Sequence, residues 1–369
     1  MKSKVPYGRQ TVGLMEGWSA FRSTLGPKIT QGPHVSELED KICEFTTAKH
    51  AIAVSSGTAA LHIAALAAKV DQFDETVVPG ITFAATASSV LLAGGRPSLT
   101  DIDERTWNID LTRVREDVKS IFSVDFAGLP SGVTERKTHR DAQIIEDCAH
   151  SLGASTPSGP VGGGHSTLMR CFSLHPVKAI TAGEGGVVTT NDDQLAERLR
   201  ELRSHGMNRD DSRYGWEYDI KSIGLNYRLT DIQAAIAVVQ LKRLVGFIDS
   251  RNEIAERYRV LLDDVPVGLP PEAPVGYRHA YHLFPVLLSD ENQRNFVYDY
   301  LQREGILVQV HYKPLHQLSV FGALPRHSKN LDSAENVGSR ILSLPIFPRL
   351  RKSDQTKVVK ALRAAITVS

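Results

Sequence analysis

The chain predicts an α/β fold. A large domain carries a mostly parallel central sheet, and a smaller α+β domain lies at the C-terminal end. Three observations support this. Short apolar runs of strand character alternate with helix-spaced amphipathic segments between about residues 35 and 204. Such alternation builds a parallel sheet covered on both faces, because each parallel crossover needs a helix-sized connection. From about residue 245 the texture changes to a proline-rich stretch and a mixed set of strands and helices. The 369 residues are also too many for one small core, so we divide the chain into a large domain over 1–245 and a small one over 246–369.

The elements follow in order. In residues 35–47, Val35, Leu38, Ile42 and Phe45 fall on one helical face. Ala51–Val54 reads as a buried strand, Ser55–Thr58 as a turn and Ala59–Lys69 as an Ala/Leu-rich helix, together one half of a βαβ unit. Strand, helix and strand are expected at Thr76–Val78, Phe83–Leu92 and Pro97–Asp101, with further strands at Ser120–Val124 and Gln143–Glu146, the last ending at Asp147. Residues 168–173 and Gly186–Thr190 read as strands flanking a polar turn, and Asp193–Ser204 as a charged amphipathic helix. One long helix is expected from Asp231 to about Leu262. The proline-rich Val265–Pro271 leads to a strand at Tyr281–Leu288, a helix at Glu291–Glu304, a strand at Ile306–Val310 and a last helix from about Ser353 to Thr367.

Bulk composition narrows the function. Lys and Arg number 43 against 42 Asp and Glu, which leaves no electrostatic footprint for nucleic acid or an anionic membrane. No uncharged apolar stretch reaches the roughly 18 residues of a spanning helix. Met1–Gln10 has no apolar core, so no signal peptide is expected. Cys43, Cys148 and Cys171 form neither a disulfide framework nor a CxxC pair, which points to a reducing, cytoplasmic setting.

Chemistry concentrates in Cys171–Gly186, where Lys178 sits in a proline-constrained polar turn ahead of Gly183-Glu-Gly-Gly186. A desolvated lysine there attacks carbonyl carbons; the alternative is an ordinary surface lysine. In Ser55-Ser-Gly57-Thr58-Ala59-Ala60 a strand ends and a helix begins, which suits a phosphate at the helix N-terminus or equally a plain N-cap. It is not a P-loop, since no GKS or GKT follows. Glu146 and Asp147 must point to opposite faces of the sheet, so one of them can face a pocket. An aspartate there pairs with a pyridinium nitrogen, or makes a salt bridge or cap. Lysine, aspartate and phosphate cup are the parts of a pyridoxal 5′-phosphate (PLP) site. Phe83 follows a strand end, from which it stacks on a cofactor ring or packs in the core. His150 and His175 are weaker candidates. His311 and His316 have no partner at zinc spacing and no HExxH exists, so no metal site is read. Val161-Gly-Gly-Gly-His165 lacks the GxGxxG pattern of a dinucleotide loop and reads as a hairpin turn.

Together these residues resemble the DegT/DnrJ/EryC1/StrS family of sugar aminotransferases, of PLP-dependent transferase fold type I. The resemblance runs through Pro6–Gln10, Ser55–Thr58, Glu146–His150, Phe172–Gly186, Arg203–Met207 and Gly224–Gln233, nearly the whole chain. It implies that Lys178 carries PLP as a Schiff base and then moves protons, and that Asp147 pairs with the ring nitrogen. It further implies that Gly57, Thr58, Ala59 and Ser173 surround the phosphate, that Phe83 stacks on the ring and that His150 lies near it. Asn226 would reach the cofactor of a neighbouring subunit, making the working unit a homodimer with shared sites. The implied reaction moves an amino group from L-glutamate, through the pyridoxamine 5′-phosphate form, to a keto sugar nucleotide of 4-keto-6-deoxy hexose type. A ketocyclitol or deoxysugar of a natural-product pathway, with L-glutamine as donor, is the alternative.

Overall fold

The period-two patterning of the strands becomes two covered sheet faces. The structure, a computed structural model, describes residues 4–135, 138–139, 141–164, 167–208, 214 and 216–369. Its main sheet holds seven strands: β1 (His50–Val54), β2 (Glu75–Pro79), β3 (Arg96–Thr100), β4 (Ser120–Val124), β5 (Gln143–Asp147), β6 (Met169–Ser173) and β7 (Gly186–Thr190). They lie side by side as β1-β7-β6-β5-β4-β2-β3. Pairing is parallel from β3 across to β6, and β7 alone runs antiparallel to both of its neighbours.

Three helices on one face, α3 (Gly57–Ala67), α4 (Ala84–Leu92) and α5 (Asp193–Arg203), share a core with Ile52, Val54, Ile145, Cys171 and Val188. The intervening strand residues Ala51, Ala53, Phe172 and Val187 pack on the other face. There they meet α2 (Pro33–Thr46), α6 (Asp231–Leu241) and the start of α7 (Leu244–Leu262). Because Asp147 shares its strand face with Ile145, it is aimed at α4, while Glu146 is turned to the opposite side.

A separate core collects around β8 (Phe284–Leu287) and β9 (Ile341–Leu344), which pair antiparallel. The second half of α7, α8 (Glu291–Arg303) and α10 (Lys352–Val368) cover it. Tyr258 is fully buried there and donates its hydroxyl to Pro345 O at 2.9 Å, which satisfies the one polar atom the ring brings inside. The N-terminal strap joins this core through Val5, which bridges Ile306.

Three features depart from the sequence reading. The long helix expected from Asp231 to Leu262 is broken between Leu241 and Leu244. No proline or glycine sits at the break; the cause is tertiary. Buried Glu16 of α1 (Leu14–Thr24) accepts from Gln240 Nε2 at 2.6 Å and pairs with Arg243 at 2.5 Å, so the last turn of α6 and a residue within the break are drawn to one carboxylate. Residues 306–310 form bridges to Val5 and Ser343 rather than a strand. Helices α1 and α9 (Asp332–Arg340) were not anticipated: neither has a side-chain N-cap, and each carries an internal glycine. Of the expected Val161–His165 turn, His165 lies outside the described residues.

Candidate active site

The carboxyl ends of the parallel strands converge on one edge of the sheet, and loops leaving that edge enclose a cavity of about 370 Å³, where open α/β sheets bind ligands. Gly57 and Thr58 arrive after β1, Phe83 after β2, Asp147 and His150 at and just beyond the end of β5, Ser173 at the end of β6, and Lys178 from the loop joining β6 to β7; all seven line it. The structure thus brings together most of the residues singled out from the sequence. Two stand apart. Ala59 is buried behind the wall, its N–H donated to Ser56 Oγ at 3.0 Å. Asn226 is exposed and off the cavity wall, in a stretch that bridges Ser204.

The β1–α3 turn is shaped for close approach. Ser56 is the N-cap, accepting from Ala59, while the N–H groups of Gly57 and Thr58, in the first helical turn, have no acceptor within the helix. Free donors and the positive end of a helix suit an anion. Gly57 is required by packing: a Cβ there would sit 2.7 Å from Ser173 Cβ. Gly57→Ala is expected to cost about 1–3 kcal/mol in denaturant unfolding.

Lys178 is carried by a short closed loop. Leu174 O accepts both Ala182 N at 2.9 Å and Thr181 Oγ1 at 3.1 Å, Leu174 N donates to Gly185 O, and Lys178 N donates to His175 O at 2.9 Å. Half-buried in the cavity wall, Lys178 is lowered by desolvation to about 8, with the Asp147 charge pulling the other way. Burial raises the Asp147 carboxyl; the Thr86 hydroxyl, the Ala149 N–H and Lys178 pull it down. Thr86, on α4, donates to Asp147 Oδ2 at 2.8 Å and Ala149 N to Oδ1 at 3.1 Å. On the opposite face Glu146 pairs with buried Arg170 at 2.7 Å, so the two adjacent carboxylates divide as their alternation requires.

Several wall residues were not assigned to the cofactor site from the sequence, His311 having been weighed only as a zinc ligand. His282, His311 and Tyr312 come from the C-terminal third, and Tyr7 from the N-terminal strap. Tyr312 OH lies 3.2 Å from His150 Nε2, and the His150 and His282 rings stand 4.3 Å apart. Burial, and then the Lys178 charge, hold His150 and His282 well below the usual histidine range and His311 at about 4. All three are therefore neutral at pH 7: a wall of hydrogen-bonding groups without fixed charge. The available signal was polar histidine embedded in apolar runs, Tyr281-His-Leu-Phe284 and Val308-Gln-Val-His-Tyr312.

A lysine and an aspartate that perturb one another in a cavity at the strand ends define a site for nucleophilic and proton-transfer chemistry. Residues 19–363 match the DegT/DnrJ/EryC1/StrS aminotransferase family, and the chain belongs to it. It is 33% identical to the uncharacterised protein MJ1066 of Methanocaldococcus jannaschii, over 99% of this chain and 98% of that one. Among solved structures, PseC of Helicobacter pylori, an aminotransferase involved in the biosynthesis of pseudoaminic acid, superposes with a TM-score of 0.90 at 29% identity, covering 100% of both chains. Spr1654 of Streptococcus pneumoniae in its PLP form superposes at 0.90 with 25% identity, over 99% of each chain.

Proposed function

We propose that this aminotransferase moves an amino group from L-glutamate to a nucleotide-linked 4-keto-6-deoxy hexose, with PLP held at Lys178. The observation that carries the reading is that Lys178 and Asp147 line one cavity and feel each other's charge, beside a helix N-terminus that a side chain at position 57 would block. The residues fit the cofactor. Gly57, Thr58 and Ser173 would hold the phosphate, Asp147 the ring nitrogen and Phe83, which is 56% exposed, a ring face. When bound, PLP supplies the electron sink for a carbanion at the amino-acid α-carbon. Lys178, near 8, is unprotonated in an appreciable fraction of molecules at neutral pH. Its Nζ takes the α-proton of the donor and returns one to the sugar carbon that receives nitrogen. Asp147, oriented by hydrogen bonds from Thr86 and Ala149, would face the ring nitrogen. The neutral histidines and Tyr312 offer hydrogen bonds to sugar hydroxyls.

Ser123–Gly128, Arg203–Met207, Lys221–Gly224 and Gly305–Pro314 resemble UDP-4-amino-4,6-dideoxy-N-acetyl-L-altrosamine transaminase of pseudaminic acid biosynthesis, and the likeness to PseC supports the same substrate class. A panel of keto sugar nucleotides and ketocyclitols, each offered with L-glutamate and with L-glutamine and read by mass spectrometry, tests this. Amination of ketocyclitols alone, or with L-glutamine alone, would replace the proposal by the natural-product reading.

We also propose a homodimer. Helix α1 exposes Leu14, Met15, Trp18 and Phe21, a run of large apolar side chains that a monomer leaves in water. Asn226, exposed and off its own cavity, is free to serve a partner's site. Trp18→Glu is expected to weaken self-association by roughly 30-fold or more in sedimentation velocity and to lower activity in parallel. Unchanged sedimentation would remove α1 from the interface.

A further inference from the structure

The turn that carries Asp147 and His150 is held from behind by a carboxylate the chemistry above does not use. Asp125 directly follows β4 and is 1% exposed. Its N–H donates to Asp147 O at 3.1 Å. Its Oδ2 accepts from Ser151 Oγ at 2.5 Å and its Oδ1 from Ser131 N at 2.7 Å. Ser151 closes the turn by donating its N–H to Cys148 O at 3.1 Å. Asp125 therefore grips both ends of residues 147–151: the backbone at Asp147, and the side chain one residue beyond His150.

The loop that Asp125 begins is wedged against a second part of the site. A Cβ on Gly128 would lie 2.8 Å from His150 O and 3.0 Å from His282 N, and Gly128 has φ +100°, so nothing larger fits. Ala280 N donates to Gly128 O at 2.9 Å and Leu283 N to Ala127 O at 3.2 Å, which fixes the segment bearing His282. One loop thus sets the spacing between the His150 turn and the His282 segment, whose rings meet at 4.3 Å.

We propose that Asp125, acting through Ser151, is a positioning residue that sets where Asp147 and His150 stand against the cofactor. The inference rests on the proposed cofactor site. Burial, and then the Glu146 charge, raise the Asp125 carboxyl above the usual range, so the acid is costly to bury in charged form, and what it adds is its hold on the turn.

The test uses loaded holoenzyme of wild type, Asp125→Asn and Ser151→Ala. PLP retention is measured by equilibrium dialysis, thermal melting by scanning fluorimetry, and kcat and KM with L-glutamate. Asp125→Asn, which exchanges an acceptor for a donor, is expected to raise the PLP dissociation constant and lower kcat about 10-fold each, with KM nearly unchanged. Ser151→Ala, which deletes one bond and adds no polar group, is expected to change both roughly 3-fold in the same direction. Lower melting temperatures with wild-type PLP retention and kcat would mean a structural role only and overturn the proposal. Should Asp125→Asn fail to fold, Ser151→Ala decides by the same criteria. Wild-type protein that retains no PLP would sink the cofactor reading, and this inference with it; loaded wild type beside unaffected variants sinks this inference alone.

Discussion

Lys178→Ala is expected to reduce amino transfer by at least about 10³-fold. Among the described residues Lys178 is the only lysine on the cavity wall, so no neighbouring amine can substitute for it. Of the imidazoles on the wall, His150, His282 and His311 are held far below histidine's ordinary range and make poor acceptors for an α-proton, while His175 is exposed, its Nε2 4.0 Å from Glu184 Oε1. The loss should fall on kcat, because the phosphate turn and Asp147 are untouched and the variant should still bind PLP reversibly. Two measurements check this: steady-state turnover with L-glutamate and a keto sugar nucleotide, and the absorbance of lysine-bound PLP, which the variant should lack. Turnover within tenfold of wild type would place the essential amine elsewhere.

The strands were legible because each is short, apolar and bounded by turn residues, and because alternation assigns Ile52 and Val54 to one face and Ala51 and Ala53 to the other. The same rule separated Glu146 from Asp147, and only Asp147 reaches the cavity. Local chemistry identified Gly57, Thr58 and Lys178, since each follows a strand end, whereas Ser173 came only from the family resemblance. Ala59, which the resemblance adds to the phosphate site, lies in the same turn with its N–H donated to Ser56 Oγ. What the sequence concealed is tertiary. The break after Leu241 has no local signature because its cause, Glu16, is more than two hundred residues away. His282, His311 and Tyr312 reach the cavity only because the C-terminal unit packs against the strand ends, and Asp125 becomes a support for the site only once β4 lies beside β5.

On the proposed reading, Asp147→Asn should lower kcat/KM by about 10²-fold, the cost of removing a buried, preorganised charge from beside the ring. Its second effect has a definite sign. The Asp147 charge raises Lys178 against the desolvation that lowers it to about 8. Lys178 attacks an aldehyde only as the free amine, so the rate at which apoprotein captures PLP should climb with pH through a midpoint near that value. In Asp147→Asn the opposing charge is gone and desolvation acts alone, so the midpoint must move to lower pH. The variant would then capture PLP relatively faster at pH 7 while turning over more slowly once loaded. A structural defect slows both. Stopped-flow absorbance of PLP capture between pH 6 and 9 separates the cases. A midpoint that stays in place or rises would mean that Asp147 is not the charge that sets the proton affinity of Lys178.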